Sequence, residues 1–361
     1  MKKAGWLVVA LSTIACGGDG GGGDGGGSGG PGEPELRCMP SNATVVAPEF
    51  EHDDLLRRVI ADDTHVFVAG VYEIYAAPRD GGPAVKVYPP EGETGRTIYP
   101  AYWVREDELL VGAGDEIRVL PKLGGEVQET ITLPFRFTTN FDGTPDAFLD
   151  ADGKTLFAKQ DPIVADGGAP DITYFSYDLE SGDSRTILEG TEIGYRELMV
   201  KSGDYLYTTH SPDRSFTSTG PDELHRIPVA GGAPEKLPVE GEFEMELVGA
   251  DEAHLYFHGY ELPPDPAGRP AGIYRIPLAG GKPEKLVVTH PVPRSMLGFV
   301  DRGDHVVVWA MTGVYRIAKA SGKVDRLVAS DCIWGMTADE GVLYLALEPE
   351  ESKGTIVQVP Y

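Results

Sequence analysis

The sequence has few basic residues, few cysteines and no helix-like periodicity. Lysine and arginine number 31 against 57 aspartates and glutamates, which gives a formal net charge of −26 over 361 residues. A surface of that charge repels phosphate backbones, so no nucleic-acid partner is expected. No stretch carries the spacing of an amphipathic helix. By contrast, glycine (47) and proline (29) are abundant, as expected for many short strands that are joined by turns.

The N-terminus has the layout of an export signal. Lys2 and Lys3 precede the apolar run WLVVALSTIA, which is followed by Cys16. A run of about ten residues between a charged start and small residues is typical of a secretory signal and is too short to remain as a membrane span. The stretch TIAC at 13–16 resembles a bacterial lipobox, in which the cysteine is lipidated and becomes the new N-terminus. We therefore expect a lipoprotein signal peptide over residues 1–15 and a lipid on Cys16; the alternative is an ordinary signal peptide with an incidental cysteine.

A glycine-rich tether follows, over residues 16–42. Its core, residues 17–30, reads GGDGGGGDGGGSGG and has no apolar side chain to bury, so it predicts a flexible link between the lipid and a folded body. No strand precedes these glycines and no Gly-Lys-Ser/Thr follows them, which excludes a phosphate-binding loop. Gly17 in place of an aspartate after the cysteine resembles enteric lipoproteins of the outer membrane. The expected location is therefore the cell envelope, at the outer membrane.

Two cysteines remain once Cys16 is lipidated, and these are Cys38 and Cys332. Export leads to an oxidising compartment, where two leftover thiols usually pair. Cys38 stands just before the folded body and Cys332 stands near its end. We therefore predict a Cys38–Cys332 disulfide that locks the two ends of the domain together.

One phrase occurs twice in the chain. Residues 223–237 read ELHRIPVAGGAPEKL, and residues 272–286 read GIYRIPLAGGKPEKL. Similar glycine turns recur along the sequence at spacings of about 40–60 residues, and two runs rich in Val, Ile, Leu and Tyr precede each turn. An acidic turn joins the first of these runs to another short apolar run. Each unit therefore contains four strands a, b, c and d, with an acidic turn between a and b and a glycine turn between c and d.

Seven such units predict a ring. Four-stranded units of about 40–50 residues in an array are typical of a β-propeller. The sequence stops at Tyr361, directly after the seventh strand c, so the missing strand d must come from elsewhere, and ATVVAPEF at 43–50 is the only unassigned strand. We therefore predict an all-β fold over residues 43–361: a seven-bladed β-propeller of four-stranded antiparallel blades, closed by an N-terminal strand.

The repeats resemble those of exported bacterial propellers of the TolB-like or YWTD-like kind, whose blades carry an L-Y-x…I-x-R-x-x-L-x-G-G rhythm. The stretch LDADGKTLF at 149–157 is similar to the D-G-K turn of such repeats. The resemblance covers nearly all of residues 43–361 and is specific for the fold. It implies only a range of functions, since members bind proteins or glycans and a minority are hydrolases or lyases.

No motif for catalysis or metal binding stands out. His254 and His258 would share a face in a helix, but along a strand they lie about 13 Å apart, which favours structural histidines over metal ligands. Four aspartates between residues 142 and 152 resemble part of a calcium loop, but the full spacing with a distal glutamate is missing, which favours a plain β-turn. No G-x-S-x-G occurs, and four tryptophans do not make the repeated motif of quinone-dependent propellers. We therefore expect no enzyme activity, no cofactor and no metal.

The two faces of the predicted propeller differ. The a–b and c–d turns emerge on one face and are short and nearly uniform, whereas the connections on the other face are irregular. Function concentrates on variable loops that a rigid scaffold holds, with drift in unconstrained loops as the alternative explanation. We predict that the irregular face binds a partner through cations and aromatic rings, a mixture that suits an acidic or glycan-like partner. The predicted contact residues are Arg136, Phe137, His210, Arg214, Phe216, Tyr260 and Arg269.

Together these features predict a lipid-anchored monomer outside the cytoplasm that acts as a binding or scaffold module for a protein or glycan of the cell envelope. One rival is a hydrolase or lyase with carboxylates at the central channel. Two or three carboxylates and a histidine with raised pKa values, converging at the channel mouth, would reveal it. Another rival is a purely structural envelope protein without any pocket.

Overall fold

The structure is a computed structural model, and all regular structure in the part of the chain it describes is β-strand. Seven four-stranded antiparallel sheets form the blades of a ring, so the predicted seven-bladed β-propeller is confirmed. The described residues are 8–9, 39–52, 58–93, 101–135, 147–150, 152–160, 172–191, 193, 199–212, 220–262, 271–288, 298–310, 313–329, 332–350 and 352–361.

The strands follow one another in the order a, b, c, d within each blade, after β1 (Val8–Val9) and β2 (Thr44–Glu51). Blade 1 contains β3 (Arg58–Ala61), β4 (His65–Ala69), β5 (Ile74–Pro78) and β6 (Val85–Tyr88). Blade 2 contains β7 (Tyr102–Arg105), β8 (Glu108–Ala113), β9 (Glu116–Pro121) and β10 (Glu129–Thr132). Blade 3 contains β11 (Ala147–Leu149), β12 (Thr155–Gln160), β13 (Ile172–Asp178) and β14 (Ser184–Thr191).

The second half of the ring repeats this order. Blade 4 contains β15 (Met199–Ser202), β16 (Tyr205–His210), β17 (Glu223–Pro228) and β18 (Glu235–Lys236). Blade 5 contains β19 (Phe243–Ala250), β20 (His254–Glu261), β21 (Gly272–Pro277) and β22 (Glu284–Val288). Blade 6 contains β23 (Gly298–Asp301), β24 (His305–Ala310), β25 (Gly313–Ala318) and β26 (Val324–Val328). Blade 7 contains β27 (Ile333–Asp339), β28 (Val342–Glu350) and β29 (Lys353–Pro360), with β2 as its fourth strand.

The N-terminal strand closes the ring. Strand β2 pairs antiparallel with β29, with Val45 opposite Val357, so the outer strand of blade 7 comes from the start of the domain as predicted. Its observed bounds differ by one residue from the predicted 43–50. Strand β1 pairs with β23 on the inner side of blade 6, with Val8 opposite Val300, and adds a fifth strand to that sheet.

The core lies between the blades. Successive residues of a strand point to opposite faces of its sheet, so each blade packs one face on the preceding blade and one on the next. In blade 5, for example, the Tyr256 ring lies 5.2 Å from the Phe299 ring of blade 6. A Cβ built at Gly249 would lie 2.2 Å from the same Phe299 ring, so this close approach requires glycine. Interlocking of this kind holds the blades in a fixed order around the ring.

One face of the ring, which we call the turn face, consists of the a–b and c–d turns. The residue after strand c donates its amide to a carbonyl of the a–b turn in every blade, at 2.8–3.0 Å. The seven pairs are Arg79–Thr64, Lys122–Asp107, Leu179–Lys154, Val229–Asp204, Leu278–Ala253, Lys319–Asp304 and Tyr361–Gly341. The opposite face, which we call the loop face, carries the ends of strands b and the starts of strands c, such as His210, Glu223 and Tyr260.

Candidate functional site

The loop face contains a break in the repeat. The fifth residue of strand b occupies the same place near this face in every blade, and it is buried throughout. Around the ring the seven residues are Ala69, Gly112, Lys159, Thr209, His258, Trp309 and Ala346. Blades 3, 4 and 5 thus carry a lysine, a threonine and a histidine where blades 1, 2 and 7 carry alanine or glycine. These three polar side chains, at equivalent buried positions of three consecutive blades, define the candidate site.

Of these three polar residues, Lys159 has the largest expected free-energy cost of burial, because it is a lysine that is only 1% exposed. Transfer of an unpaired ammonium into a protein interior costs several kcal/mol, so buried lysines occur where partners or function offset the penalty. Lys159 lies opposite Tyr174 in the ladder between β12 and β13. It points toward blade 4, since Phe157, on the same side of β12, packs with Leu206 of blade 4.

Blade 4 presents histidines toward the same interface. The rings of His210 and His225 lie 6.1 Å apart in an edge arrangement. His225 Nε2 lies 3.1 Å from a Glu223 carboxylate oxygen, and Lys236 donates to the other oxygen of that carboxylate at 2.6 Å. The alternation of strands β16 and β17 places these four side chains on the side of blade 4 that faces blade 3.

The titration behaviour of this group follows from its burial. Burial lowers the pKa of both His210 and His225, although Glu223 opposes the shift, so both rings are neutral at pH 7. The hydrogen bond from Lys236 lowers the pKa of Glu223, which keeps that carboxylate ionised. A general acid needs the opposite shift, so this cluster offers hydrogen-bonding groups rather than the proton donor of a hydrolase.

Blade 5 contributes a second polar group. Burial lowers the pKa of His258 to about 4, so this imidazole stays neutral over the physiological range. Glu246 lies opposite His258 in the ladder between β19 and β20, and Glu244 lies opposite Tyr260, whose hydroxyl donates to the Glu244 carboxylate. These side chains share the face of blade 5 that packs on Phe299 of blade 6.

Blades 4 and 5 are joined between these groups. Asp222 donates its amide to the Phe243 carbonyl at 2.8 Å, and its carboxylate accepts the Met245 amide at 2.7 Å. The Thr209 hydroxyl donates to the Met245 carbonyl at 3.3 Å. A cavity of about 290 Å³ opens beside this junction, and Asp222, Glu223, Lys236, Leu237 and Glu242 are among its lining residues. The start of β19 is therefore fixed to the loop end of blade 4.

Two of the seven predicted contact residues lie in the described part of the chain. The structure places His210 and Tyr260 on the same face, as predicted, but His210 faces blade 3 and Tyr260 faces blade 6. They belong to two different interblade surfaces, which the interface between blades 4 and 5 separates, rather than to one cleft. The other predicted contacts lie outside the described residues: Arg136, Phe137, Arg214, Phe216 and Arg269.

The export features also fall largely outside this region. Cys16 and Cys38 lie outside the described residues, so the lipid and the Cys38–Cys332 disulfide stay predictions. Cys332 precedes β27, where its carbonyl accepts the Glu348 amide at 3.2 Å. Across the described ranges, no helix is long and apolar enough to cross a membrane.

Of the histidine pair considered as metal ligands, His254 begins strand β20 and His258 lies four residues further along the same strand. Within the described ranges no three His, Cys, Asp or Glu side chains come together as a metal site. The proposed turn at Asp152 is observed: its carboxylate accepts the amides of Lys154 and Thr155 at 2.8 and 2.9 Å. Those bonds outweigh burial and lower the pKa of Asp152.

Sequence reasoning missed Lys159, Glu223 and His225. A signal for Lys159 is present in the strand b set, where KTLFAKQ stands among apolar runs such as HVFVAG. This signal can be recognised only when the seven b strands are aligned by their position in the ring. Glu223 lies two residues before His225 on β17, whereas His210 and Lys236 come from the neighbouring strands β16 and β18, so the whole group is visible only in the folded chain.

Comparisons with known proteins show the fold alone. No family model and no curated protein sequence matches the chain. Solved structures do match. The CNH domain of AfRom2 gives a TM-score of 0.53 at 10% identity, over 89% of this chain and 99% of that one. The extracellular domain of a hybrid two-component system from B. thetaiotaomicron gives 0.51 at 11% identity, over 89% of this chain and 40% of that one.

An enzyme is also among the structural matches. The Pyrococcus horikoshii acylaminoacyl peptidase gives a TM-score of 0.51 at 14% identity, over 82% of this chain and 49% of that one. This chain thus spans less than half the length of the peptidase and of the two-component system's extracellular domain. At such identities these matches confirm a β-propeller and leave the narrower resemblance to TolB-like or YWTD-like proteins a prediction.

Proposed function

We propose that the protein is a lipid-anchored, extracytoplasmic binding module, and that the loop face of blades 3–5 binds a protein or glycan of the cell envelope. The observation that carries this proposal is the buried run of Lys159, Thr209 and His258 at positions that are alanine or glycine in blades 1, 2 and 7. Apolar residues occupy the same positions elsewhere in the ring, so the fold of a blade does not require this polar run. A role in binding accounts for its presence.

The chemistry of this surface suits a hydrogen-bonding partner. His210 and His225 are neutral at pH 7 and each carries both a donor and an acceptor. The Tyr260 ring lies near the same face, and rings of this kind are frequent at the centres of interfaces. Together with the predicted cations of the loop face, these groups fit hydroxyl-rich or acidic partners. The extracellular location of the two-component neighbour is in keeping with a sensing or binding role for this fold.

The N-terminal features place the module in the envelope under this proposal. Lipidation of Cys16 holds the protein at the outer membrane, the tether over residues 16–42 gives it reach, and a Cys38–Cys332 disulfide secures the ring. The module acts as a monomer. Replacement of Cys16 by serine is expected to release the protein from the membrane fraction, and unchanged retention would refute the anchor.

The binding proposal is tested with matched variants of a chain that begins at residue 17, which lacks the lipidated cysteine and keeps Cys38 for the predicted disulfide. The loop-face variant combines His210→Ala with Glu223→Gln, and the control is Asp204→Asn in the turn-face turn of the same blade. Separate analytes are outer-membrane proteins, peptidoglycan fragments and lipopolysaccharide from the host, measured by surface plasmon resonance. We expect one analyte to bind wild type and control equally and the loop-face variant at least about tenfold more weakly. Equal binding by the loop-face variant would contradict the proposal.

A further inference from the structure

The innermost strand of blade 6 holds an extra strand on its channel side. Strand β1 pairs antiparallel with β23, with Val8 opposite Val300 and Val9 opposite Phe299. Among the residues that the structure describes, the sheet of blade 6 is the one that contains five strands. Addition of an extended segment to a strand edge is a recurring mode of peptide recognition. The pairing therefore shows that this edge accepts an extended segment from the central channel.

The proposed processing removes this extra strand. Val8 and Val9 lie within residues 1–15, which are lost when the chain is cleaved before Cys16. Strand β23 then keeps β24 as its partner on one side and has an open edge on the other. Backbone N–H and C=O groups at such an edge need a hydrogen-bond partner, which either water or another extended chain supplies. The processed protein therefore presents an edge that the unprocessed chain covers.

The corresponding edge of blade 5 is closed by side chains. The Met245 carbonyl of β19 accepts the Thr209 hydroxyl at 3.3 Å, and the Met245 amide donates to the Asp222 carboxylate at 2.7 Å. The N–H and C=O of one strand residue point to the same side, so these bonds occupy the side of β19 that faces away from β20. Within the described ranges, no side chain bonds in this way to the backbone of Phe299 or Val300. Strand β23 thus offers an edge that β19 does not.

The surroundings of this edge are uncharged. The innermost strands of blades 5 and 7 contact β23 on its two faces. The residues of the three strands near the paired positions are buried and carry no charge: 247–250, 298–300 and 336–338. A charged group in such surroundings loses its hydration, whereas apolar atoms are stabilised by leaving water. An uncharged apolar segment therefore fits the edge, and the stretch WLVVAL at 6–11, which contains β1, has this composition.

We propose that the channel-side edge of β23 in the processed protein binds an extended, uncharged apolar segment of another exported protein as an antiparallel fifth strand. Strand β23 runs from the loop face to the turn face, so the register of β1 directs the N-terminal end of the bound segment to the turn face. The proposal rests on the processing proposed above, which opens the edge, and is independent of the partner surface on the loop face.

The chain's own segment serves as the probe. The amidated peptide KKAGWLVVALS, residues 2–12, is labelled with a fluorophore and titrated with the chain that begins at residue 17. Fluorescence anisotropy is expected to show saturable one-to-one binding. The full chain of residues 1–361 should bind the same peptide at least about tenfold more weakly, because β1 competes from within the same molecule. Absence of binding to the shortened chain, or equal binding by the two chains, would overturn the proposal.

Methylated peptides separate strand pairing from apolar contact. Alternate residues of a strand point their N–H groups toward the partner strand, and the others point away from it. One peptide is methylated on the amide nitrogens of Val8 and Ala10, and the other on those of Val9 and Leu11, so both keep the charge and the side chains. One of the two should bind at least about tenfold more weakly than the parent and the other within about threefold of it. Equal affinities of the two methylated peptides would contradict pairing along one edge.

Hydrogen exchange then locates the added strand. With the peptide bound to the shortened chain, the amides of Gly298–Asp301 should exchange at least about fivefold more slowly. Met199–Ser202, the innermost strand of blade 4, is the control and should be unchanged. Protection of Met199–Ser202 equal to that of Gly298–Asp301 would contradict a site in blade 6. Because the shortened chain is made directly, these results do not depend on lipidation, which the Cys16→Ser release experiment tests separately.

Discussion

The turn face and the loop face are built from the same repeat, and they differ in how strictly the repeat is kept. On the turn face the same backbone hydrogen bond recurs in all seven blades within a range of 0.2 Å, from 2.8 to 3.0 Å. On the loop face the repeat changes from blade to blade, down to the buried position that holds Ala69 in blade 1 and Lys159 in blade 3. One face of this propeller is thus uniform around the ring, and the other differs between blades.

Side chains strengthen the turn face across blade boundaries. The residue that follows strand c reaches a carboxylate of the preceding blade in three places. The pairs are Arg79–Asp339 at 2.8 Å, Lys122–Asp62 at 2.9 Å and Lys319–Glu252 at 3.1 Å. Burial alone would raise the pKa of Asp62, but the hydrogen bonds from Lys122 and from backbone amides lower it. These acids are thus part of the scaffold, and the lowered pKa of Asp62 is the opposite of what a hydrolase needs in its general acid.

The largest effect is expected from opening the ring. A chain that begins at residue 52 lacks β2, which leaves β29 without its outer partner and exposes the cavity that Val46 and Ala47 fill. Unpaired edges aggregate and lost apolar burial destabilises, so we expect loss of the soluble monomer or a fall in melting temperature of more than about 10 °C. The chain that begins at residue 39 is the control. Gel filtration and calorimetry that show the two chains to be alike would contradict closure by β2.

Exchange of the loop-face residues between blades should give the next largest effect. Ala69→Lys places an ammonium among the apolar residues of blade 1, where Ala69 is 0% exposed, and should destabilise the protein by about 3–5 kcal/mol. Lys159→Met is the reverse exchange; it is expected to cost less stability than Ala69→Lys, because an apolar side chain fills the position again, and to weaken partner binding. Urea denaturation measures both. A strong destabilisation by Lys159→Met would mean that the lysine has a structural rather than a binding role.

Two glycines of the turn face provide a comparison within that face. Gly280 has a φ of 82°, and a Cβ there would lie 2.2 Å from the Pro238 carbonyl oxygen of the neighbouring blade. Gly203 has a φ of 54°, with no atom within 4 Å of a built Cβ. Gly203→Ala should therefore cost about 1 kcal/mol for the left-handed backbone alone, and Gly280→Ala about 3 kcal/mol. Thermal unfolding of the two variants measures the difference, and equal costs would show that contact across the blade boundary is unimportant.

The smallest effect concerns pH, and it occurs in different pH ranges on the two faces. The pKa of His258 is lowered in the folded state to about 4. As the pH falls below about 6.5, the imidazole is therefore protonated in the unfolded chain but stays neutral in the folded chain. Stability is therefore lost between about pH 6.5 and 4, by about 2 kcal/mol at pH 5. His258→Gln should flatten this part of the profile. The turn-face acid Asp62, whose pKa is lowered, should act only below about pH 4. Chemical denaturation at a series of pH values tests this, and an unchanged slope in His258→Gln would refute it.

Much of the fold could be predicted from the sequence because it depends on short motifs that recur from blade to blade. The glycine turns, the acidic turns and the strand character of 43–50 each depend on a few adjacent residues, and the ring follows from counting them. The strand bounds were less accessible: β19 begins at Phe243, although only its last residues, LVGA at 247–250, read as strand. Its first half is held by Asp222 of the preceding blade, a contact that local sequence cannot show.

The candidate site was accessible only in part. His210 and Tyr260 could be placed on the loop face because they end predicted strands, but the side of the blade they face depends on register. Lys159 reads as an ordinary polar residue until its burial is known. Glu106, whose backbone φ of 51° is left-handed, is one acid among 57 in the sequence. These features depend on tertiary packing, which one sequence does not encode in any short pattern.

The two ends of one strand provide the most direct test of the central claim that the loop face binds the partner. Strand β16 begins at Tyr205 on the turn face and ends at His210 on the loop face, so one strand offers a position on each face. Benzoylphenylalanine is introduced at either position in the lipid-anchored protein in living cells, which are then irradiated. If the loop face binds the partner, we expect a crosslinked adduct from position 210 and none from position 205. An adduct from position 205 with none from position 210 would contradict it.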